Sequence, residues 1–153
     1  MADGVKDSNP KDAIGVTKTP MSTLSAQVMG EVGVAMLEGA LKYGRSNYRV
    51  AGVRASVYYD ALFRHMSAWF EGQDIDPESG LNHVTKAIAG LMVLRDSMMQ
   101  GNWQDDRPPR VTNQDWVKDL NEKVKALLTK YPNPVEAYTE ANSKTEPDDE
   151  CPF

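Results

Sequence analysis

The sequence predicts an all-α protein. Apolar residues recur at helical spacing in four separate segments, and glycine and proline punctuate the intervals between them. No stretch alternates apolar and polar residues as a half-buried strand does, and there is no internal repeat. The expected architecture is a helical bundle of three core helices plus a C-terminal amphipathic helix, with burial completed by oligomerisation.

The elements follow in order. Pro10 and Pro20 bracket the leading segment SNPKDAIGVTKTP, which reads as an ordered or ligand-ordered loop. The first long helix starts from Ser22 or Ser25 as N-cap and runs to about Tyr43, where Gly44 ends it. RSNYRVAGV reads as a loop. The second helix spans about Ser56 to Phe70, and QDIDPESG is an acidic turn. A third helix covers about Gly80 to Met99, with Gly101 just beyond it. After the proline-rich connection NWQDDRPPRV, Thr112 and Asp115 resemble a capping box. It opens a helix whose Trp116, Leu120, Val124 and Leu127 share a face. The expected divisions are an all-α domain at 1–110, the amphipathic helix at 111–132 and an acidic flexible tail at 133–153.

The composition narrows the function classes. Seventeen Lys+Arg against 22 Asp+Glu give a formal charge of −5, which argues against generic binding to a nucleic-acid backbone. The single cysteine, Cys151, supports no internal disulfide and suits a reducing compartment. Neither a signal-peptide pattern nor a membrane-spanning run is present, so a cytoplasmic protein without a membrane partner is expected. GxxxxGK[ST] is absent, the helical glycines follow no strand, and no His-Asp doublet occurs. These absences argue against a Walker-type ATPase, a Rossmann site and an HD-type phosphohydrolase.

The first helix carries the clearest sign of a site. Glu31, Glu38 and Lys42 fall within about 40° on a helical wheel. Val28, Val32 and Ala35 flank them on one side and Val34, Leu37 and Leu41 on the other. Carboxylates in an apolar surround need a metal, a cation or a polar ligand to hold their charge. Asp74, Asp76 and Glu78 in the acidic turn could hold a hard cation or simply face the dipole of the next helix. His83, at the start of that helix, can meet carboxylates of adjacent elements, whereas Asp96 points elsewhere and reads as solvated or interfacial. Asp60 and Arg64 are spaced for an ion pair, and Lys11, Lys18, Lys42, Arg45 and Arg64 could converge on a polyphosphate.

Four segments together resemble a known family. They are SNPKDAIG at 8–15; GALKYG at 39–44 with Asn47; Arg64-His65 followed by Trp69, Gly72, Asp74, Asp76-Pro-Glu-Ser-Gly80 and His83; and DDRP at 105–108. They resemble the N-terminal domains of phage and bacterial dATP/dGTP diphosphohydrolases, a group similar to the MazG-like all-α nucleoside triphosphate pyrophosphohydrolases. The resemblance implies an oligomeric enzyme, a homodimer or homotetramer, of the bacterial or phage-infected host cytoplasm. It would use Mg2+ or Mn2+ to cleave a deoxypurine nucleoside triphosphate, dATP or dGTP, at the α-phosphorus to the monophosphate and pyrophosphate. In the wider family, metal-binding carboxylates come from an E-E-x-x-E run and an E-x-x-D run. Here Glu31 and Glu38 stand seven apart, and HVTK at 83–86 replaces the acidic pair.

The expected metal ligands are therefore Glu31, Glu38, Asp74, Asp76 and His83. Glu38, Lys42 and Arg64 are the expected catalytic residues. The expected substrate contacts are Asn9, Lys11, Asp12, Lys18, Tyr43, Asn47, His65 and Trp69, with Tyr43 or Trp69 stacking on the base. Two alternatives stand beside this reading: another metal-dependent nucleotide phosphohydrolase, or a nonenzymatic nucleotide-binding protein.

Overall fold

The computed structural model describes residues 9–141; Ser8, Cys151 and the rest of the expected tail from residue 142 lie outside them. The chain divides into two units, Met1–Pro108 and Pro109–Phe153. The fold is all-α, with six α-helices among the described residues. No described helix is long and apolar enough to cross a membrane.

The leading segment is not only a loop. Helix α1, Pro10–Gly15, starts there because the Asn9 side chain accepts from the Lys11 N–H at 3.1 Å and Pro10 pre-sets the first helical turn. Helix α2, Ala26–Tyr43, is capped by Ser25, whose hydroxyl accepts from the Val28 N–H at 3.4 Å; Ser22 falls instead in a short 3-10 turn. Gly44, at φ 93°, ends α2 as expected.

RSNYRVAGV also holds more structure than a loop. It contains the single-turn helix α3, Tyr48–Ala51, and the strand β1, Val53–Arg54, begins at its last residue. Helix α4 follows at Ala55–Phe70. Helix α5 occupies His83–Gln100, three residues later than expected. Gly80 sits at φ 70°, outside the helical region, and Asn82 is the cap, accepting from the Val84 N–H at 2.8 Å. Gly101, in the left-handed region, ends α5. The strand β2, Trp103–Gln104, pairs in parallel with β1, Val53 opposite Trp103 and Arg54 opposite Gln104.

These strands close a clasp around the α4–α5 pair. Gly52 lies at φ 74°, and a Cβ there would overlap the Asn102 carbonyl oxygen. The Asn102 side chain donates to the carbonyls of Tyr48 and Arg49, at 3.0 and 2.7 Å. Arg49 grips Asp96 with two hydrogen bonds of 2.6 and 3.0 Å, holding its carboxyl below the usual carboxylate range. Asp96 is thus an internal anchor rather than a free surface charge. The Ser56 N–H and hydroxyl both donate to Asp106, at 2.8 and 2.5 Å.

Helix α5 is the common support, packed by α2 on one side and α4 on the other. Val32, Ala35 and Ala89 form the buried centre, with Met36, Leu81 and Ile88 around it. Burying a valine such as Val32 contributes about 1.5 to 3 kcal/mol. Small residues let the helices approach: a Cβ on Gly90 would come within 3.3 Å of Leu62 on α4. The other flank of α2 is open, with Val34, Leu37 and Leu41 at 52, 56 and 79 % exposure.

In the second unit, helix α6 spans Trp116–Lys130 and places Trp116, Leu120, Val124 and Leu127 on one face. The expected capping box does not form. Asp115 occupies the cap position without a side-chain bond, and Asn113 accepts from its N–H at 2.9 Å instead.

Candidate active site

Glu38, the carboxylate that the helical wheel sets in an apolar surround, is half-buried in the fold and stands between two ammonium groups. Lys42, one turn on in α2, approaches Glu38 Oε1 at 2.7 Å, and Lys86 of α5 approaches Oε2 at 3.3 Å. Lys86 Nζ also reaches Asp76 Oδ2 at 2.6 Å and the Ser79 hydroxyl at 3.1 Å. Lys42 Nζ touches Glu78 Oε1 at 3.1 Å. A chain of alternating charge therefore runs Glu78, Lys42, Glu38, Lys86, Asp76.

The acidic turn is shaped to present Asp76. Ile75 and Asn82 form an antiparallel bridge, and the Asp76 N–H donates to the Leu81 carbonyl at 2.9 Å. The Asp76 carboxylate accepts from the Ser79 hydroxyl at 2.7 Å and the Glu78 N–H at 3.2 Å. The Lys86 ammonium, with these two donors, holds Asp76 far below the usual carboxylate range despite its burial. Lys42, and then Lys86, also hold the Glu38 carboxyl down against burial. Burial pushes Lys86 down, but its bonds to Asp76 and Glu38 outweigh that and leave it raised. All three groups are charged at neutral pH.

Beside this cluster lies a cavity of about 590 Å3 between α2 and α5, lined also by the α2–α3 turn. Glu38, Lys42 and Lys86 line it together with Arg45, Asn47 and Tyr43. Tyr48 and Tyr58 complete an aromatic end, where burial pushes the Tyr58 hydroxyl up, with Tyr43 and Tyr48 adding to it. Anionic, cationic and aromatic groups thus face one space.

The structure gathers only part of the expected site there. Glu31 lies two turns back along α2 and accepts from the buried Thr85 hydroxyl at 3.0 Å. His83 meets no carboxylate among the described residues. Its Nδ1 is 2.8 Å from His65 Nδ1, and its Nε2 is 3.2 Å from the Gln73 side-chain oxygen. Only one hydrogen fits between the two Nδ1 atoms, so these rings form a packed pair and both ring nitrogens of His83 are engaged. Burial, with Lys86 and His83 nearby, pushes His65 down. Asp74 contributes its carbonyl to the His83 N–H at 2.9 Å, and its side chain is exposed.

Arg64 is absent from the cavity wall for a geometric reason. Tyr58, Leu62 and His65 carry the face of α4 that meets α5, and Arg64 lies about 200° round the helix from Leu62. It pairs with neither Asp60 nor another described acid. Trp69 lines a separate shallow depression with Phe63, Met66 and Phe70. Asn9, Lys11, Asp12 and Lys18 belong to α1 and its flanks, and no hydrogen bond or ion pair joins them to the cavity among the described residues.

Sequence reasoning missed Lys86, Thr85, Ser79 and Tyr58. The signal for Lys86 was present: a lysine on the buried face of a helix, one turn from its start, has to be neutralised by something.

Among the described residues no three His, Cys, Asp or Glu side chains gather to hold a metal ion. The donor chemistry nonetheless suits a cation, because Glu38 and Asp76 already share one positive centre in the Lys86 ammonium. Two carboxylates completed by water and substrate phosphates are an ordinary setting for Mg2+.

Comparisons with known proteins bear on this geometry. A family model described as dATP/dGTP diphosphohydrolase, N-terminal, matches residues 8–107. A protein of Salmonella phage PMBT28 named dATP/dGTP diphosphohydrolase is 32 % identical over 90 residues, covering 59 % of this chain and 30 % of that protein. The chain thus spans less than a third of that relative's length. No solved structure matches.

Proposed function

The chain belongs to the dATP/dGTP diphosphohydrolase N-terminal family, and from that premise we propose that it hydrolyses a deoxypurine nucleoside triphosphate at the α-phosphorus, in a metal-dependent reaction. The observation that carries this reading is the cavity between α2 and α5, where Glu38, Lys42, Lys86, Arg45 and three tyrosines share one wall and Lys86 is bonded in turn to Asp76.

Mg2+ or Mn2+, held by Glu38 and Asp76, would neutralise the triphosphate and make a bound water more acidic. Lys42, Arg45 and Lys86 bind phosphoryl oxygens and stabilise the charge that develops on them. Water oxygen bonds to the α-phosphorus and releases a proton to solvent while the bond to the bridging oxygen breaks, and pyrophosphate leaves with the electron pair. Tyr43, Tyr48 and Tyr58 give the base an aromatic wall, and Asn47 offers it a donor and an acceptor. Lys11 and Lys18 join the phosphates when the leading segment folds over bound substrate. The open flank of α2 is covered in a homodimer or homotetramer, which light scattering at micromolar protein would detect as a multiple of the 17.0 kDa chain mass. The enzyme acts in the bacterial or phage-infected host cytoplasm.

The test is product analysis on the canonical dNTPs and NTPs with Mg2+ or Mn2+. A deoxynucleoside monophosphate and pyrophosphate in equal amounts support the reading. Deoxynucleoside plus triphosphate would assign a different phosphohydrolase, and binding without turnover a nucleotide-binding protein.

A further inference from the structure

Lys86 is placed where helix energetics alone would not put it. It is the fourth residue of α5, close to the positive end of the helix dipole, where a cation is disfavoured. Its side chain is 15 % exposed, yet three oxygens surround its ammonium: Asp76 Oδ2 at 2.6 Å, Ser79 Oγ at 3.1 Å and Glu38 Oε2 at 3.3 Å. The carboxylates therefore hold the lysine there. The same lysine lines the cavity, and its four-carbon stem lets the head group turn while the helix stays fixed.

We propose that Lys86 is an exchangeable counter-ion, whose ammonium occupies the Glu38–Asp76 pair until a divalent cation arrives and then turns to the phosphates of the bound nucleotide. The inference rests on the metal-dependent reading above. Charge balance supports it. Glu78, Lys42, Glu38, Lys86 and Asp76 sum to −1, so the metal-free cluster is nearly neutral without an added ion. A divalent ion taking the two carboxylates while Lys86 stays would set two cations against each other. Bound triphosphate removes that conflict, because it offers the displaced ammonium new anionic partners. Metal and nucleotide then bind cooperatively, each making the other's site available.

The experiment measures Mn2+ binding by the electron paramagnetic resonance signal of the free ion, without nucleotide, for the wild type and Lys86→Gln. Removing the competing ammonium should tighten Mn2+ binding at least about tenfold, whereas equal or weaker binding overturns the proposal. Should the variant misfold by circular dichroism, the wild type decides. The Lys86 Nζ resonance in 15N-lysine-labelled protein should shift when Mg2+ and a non-hydrolysable deoxynucleoside triphosphate are added together, and a stationary resonance refutes the exchange. Turnover assays separate the two readings. Hydrolysis to monophosphate and pyrophosphate with no tightening in K86Q sinks the exchange alone. Tightening without hydrolysis of any nucleoside triphosphate sinks the catalytic reading and leaves the exchange standing.

Discussion

Replacing Asp76 with asparagine isolates the charge at the centre of the cluster. The carbonyl of the new amide can still accept from the Glu78 N–H, but its nitrogen accepts from neither Lys86 nor Ser79. One charge-assisted bond is worth about 1.5 to 3 kcal/mol and one neutral bond about 1 kcal/mol. Lys86 keeps Glu38 at 3.3 Å, which offsets part of the loss. The expected cost is about 2 to 3 kcal/mol at pH 7, below the roughly 3 to 5 kcal/mol typical of a fully buried broken pair. In urea this moves the unfolding midpoint down by about 1 to 2 M. The pH dependence supplies a second check. The Asp76 pKa is lowered in the fold, so on acidification the unfolded chain binds the proton first, near about pH 3.9. The carboxylate's contribution is whole above that pH and is lost as pH falls below it. Asparagine has no such titration, so the gap between wild type and variant should narrow from about pH 5 toward about pH 3. A gap under about 0.5 kcal/mol at pH 7, or one that stays constant into acid, would refute the assigned role of the charge.

Glu38→Gln should lower turnover by roughly a hundredfold or more, with helix content unchanged because the two residues have similar helix propensity; wild-type rates at limiting Mg2+ would remove Glu38 from the site. Gly52→Ala should cost at least about 2 kcal/mol in urea unfolding, from positive φ and overlap with the Asn102 carbonyl, and an unchanged midpoint would contradict the described turn. The double variant Lys11→Ala, Lys18→Ala should raise KM about tenfold and leave Tm in place, since both side chains are exposed; an unchanged KM would separate the leading segment from the substrate.

What is legible in the sequence is local. Ser25 and Gly44 bound α2, and Gly101 ends α5, because caps depend on a few neighbouring residues. Glu38 is legible for a similar reason, its charge lying within an apolar helical surface. Relations between helices are not. A helical wheel orders residues about an axis without saying which arc meets a neighbour. On α4 the arc is chosen by the fit of Leu62 to Gly90, which brings Tyr58 inward and leaves Arg64 out. The His65–His83 contact joins residues 18 apart across two helices, so neither local sequence announces it. The β1–β2 pair has two residues per strand, too short for any alternation to show. In the sequence Lys86 reads only as part of the run that replaces an acidic pair, whereas its partner acids come from α2 and the preceding turn.

The clasp has a consequence for how the molecule opens. β1 with β2, Gly52 with Asn102, Arg49 with Asp96 and Ser56 with Asp106 join the two ends of one continuous stretch, residues 48–106. Helix α2 lies outside that closed stretch and docks mainly on α5. Its release therefore leaves the clasp whole, and amide hydrogens of α2 exchange with solvent through a partial opening, while those of α5 wait for global unfolding. Glu38 and Lys42 depart with α2 and Lys86 stays behind. The half-life of the docked helix, rather than that of the folded chain, then sets how long a complete cavity persists.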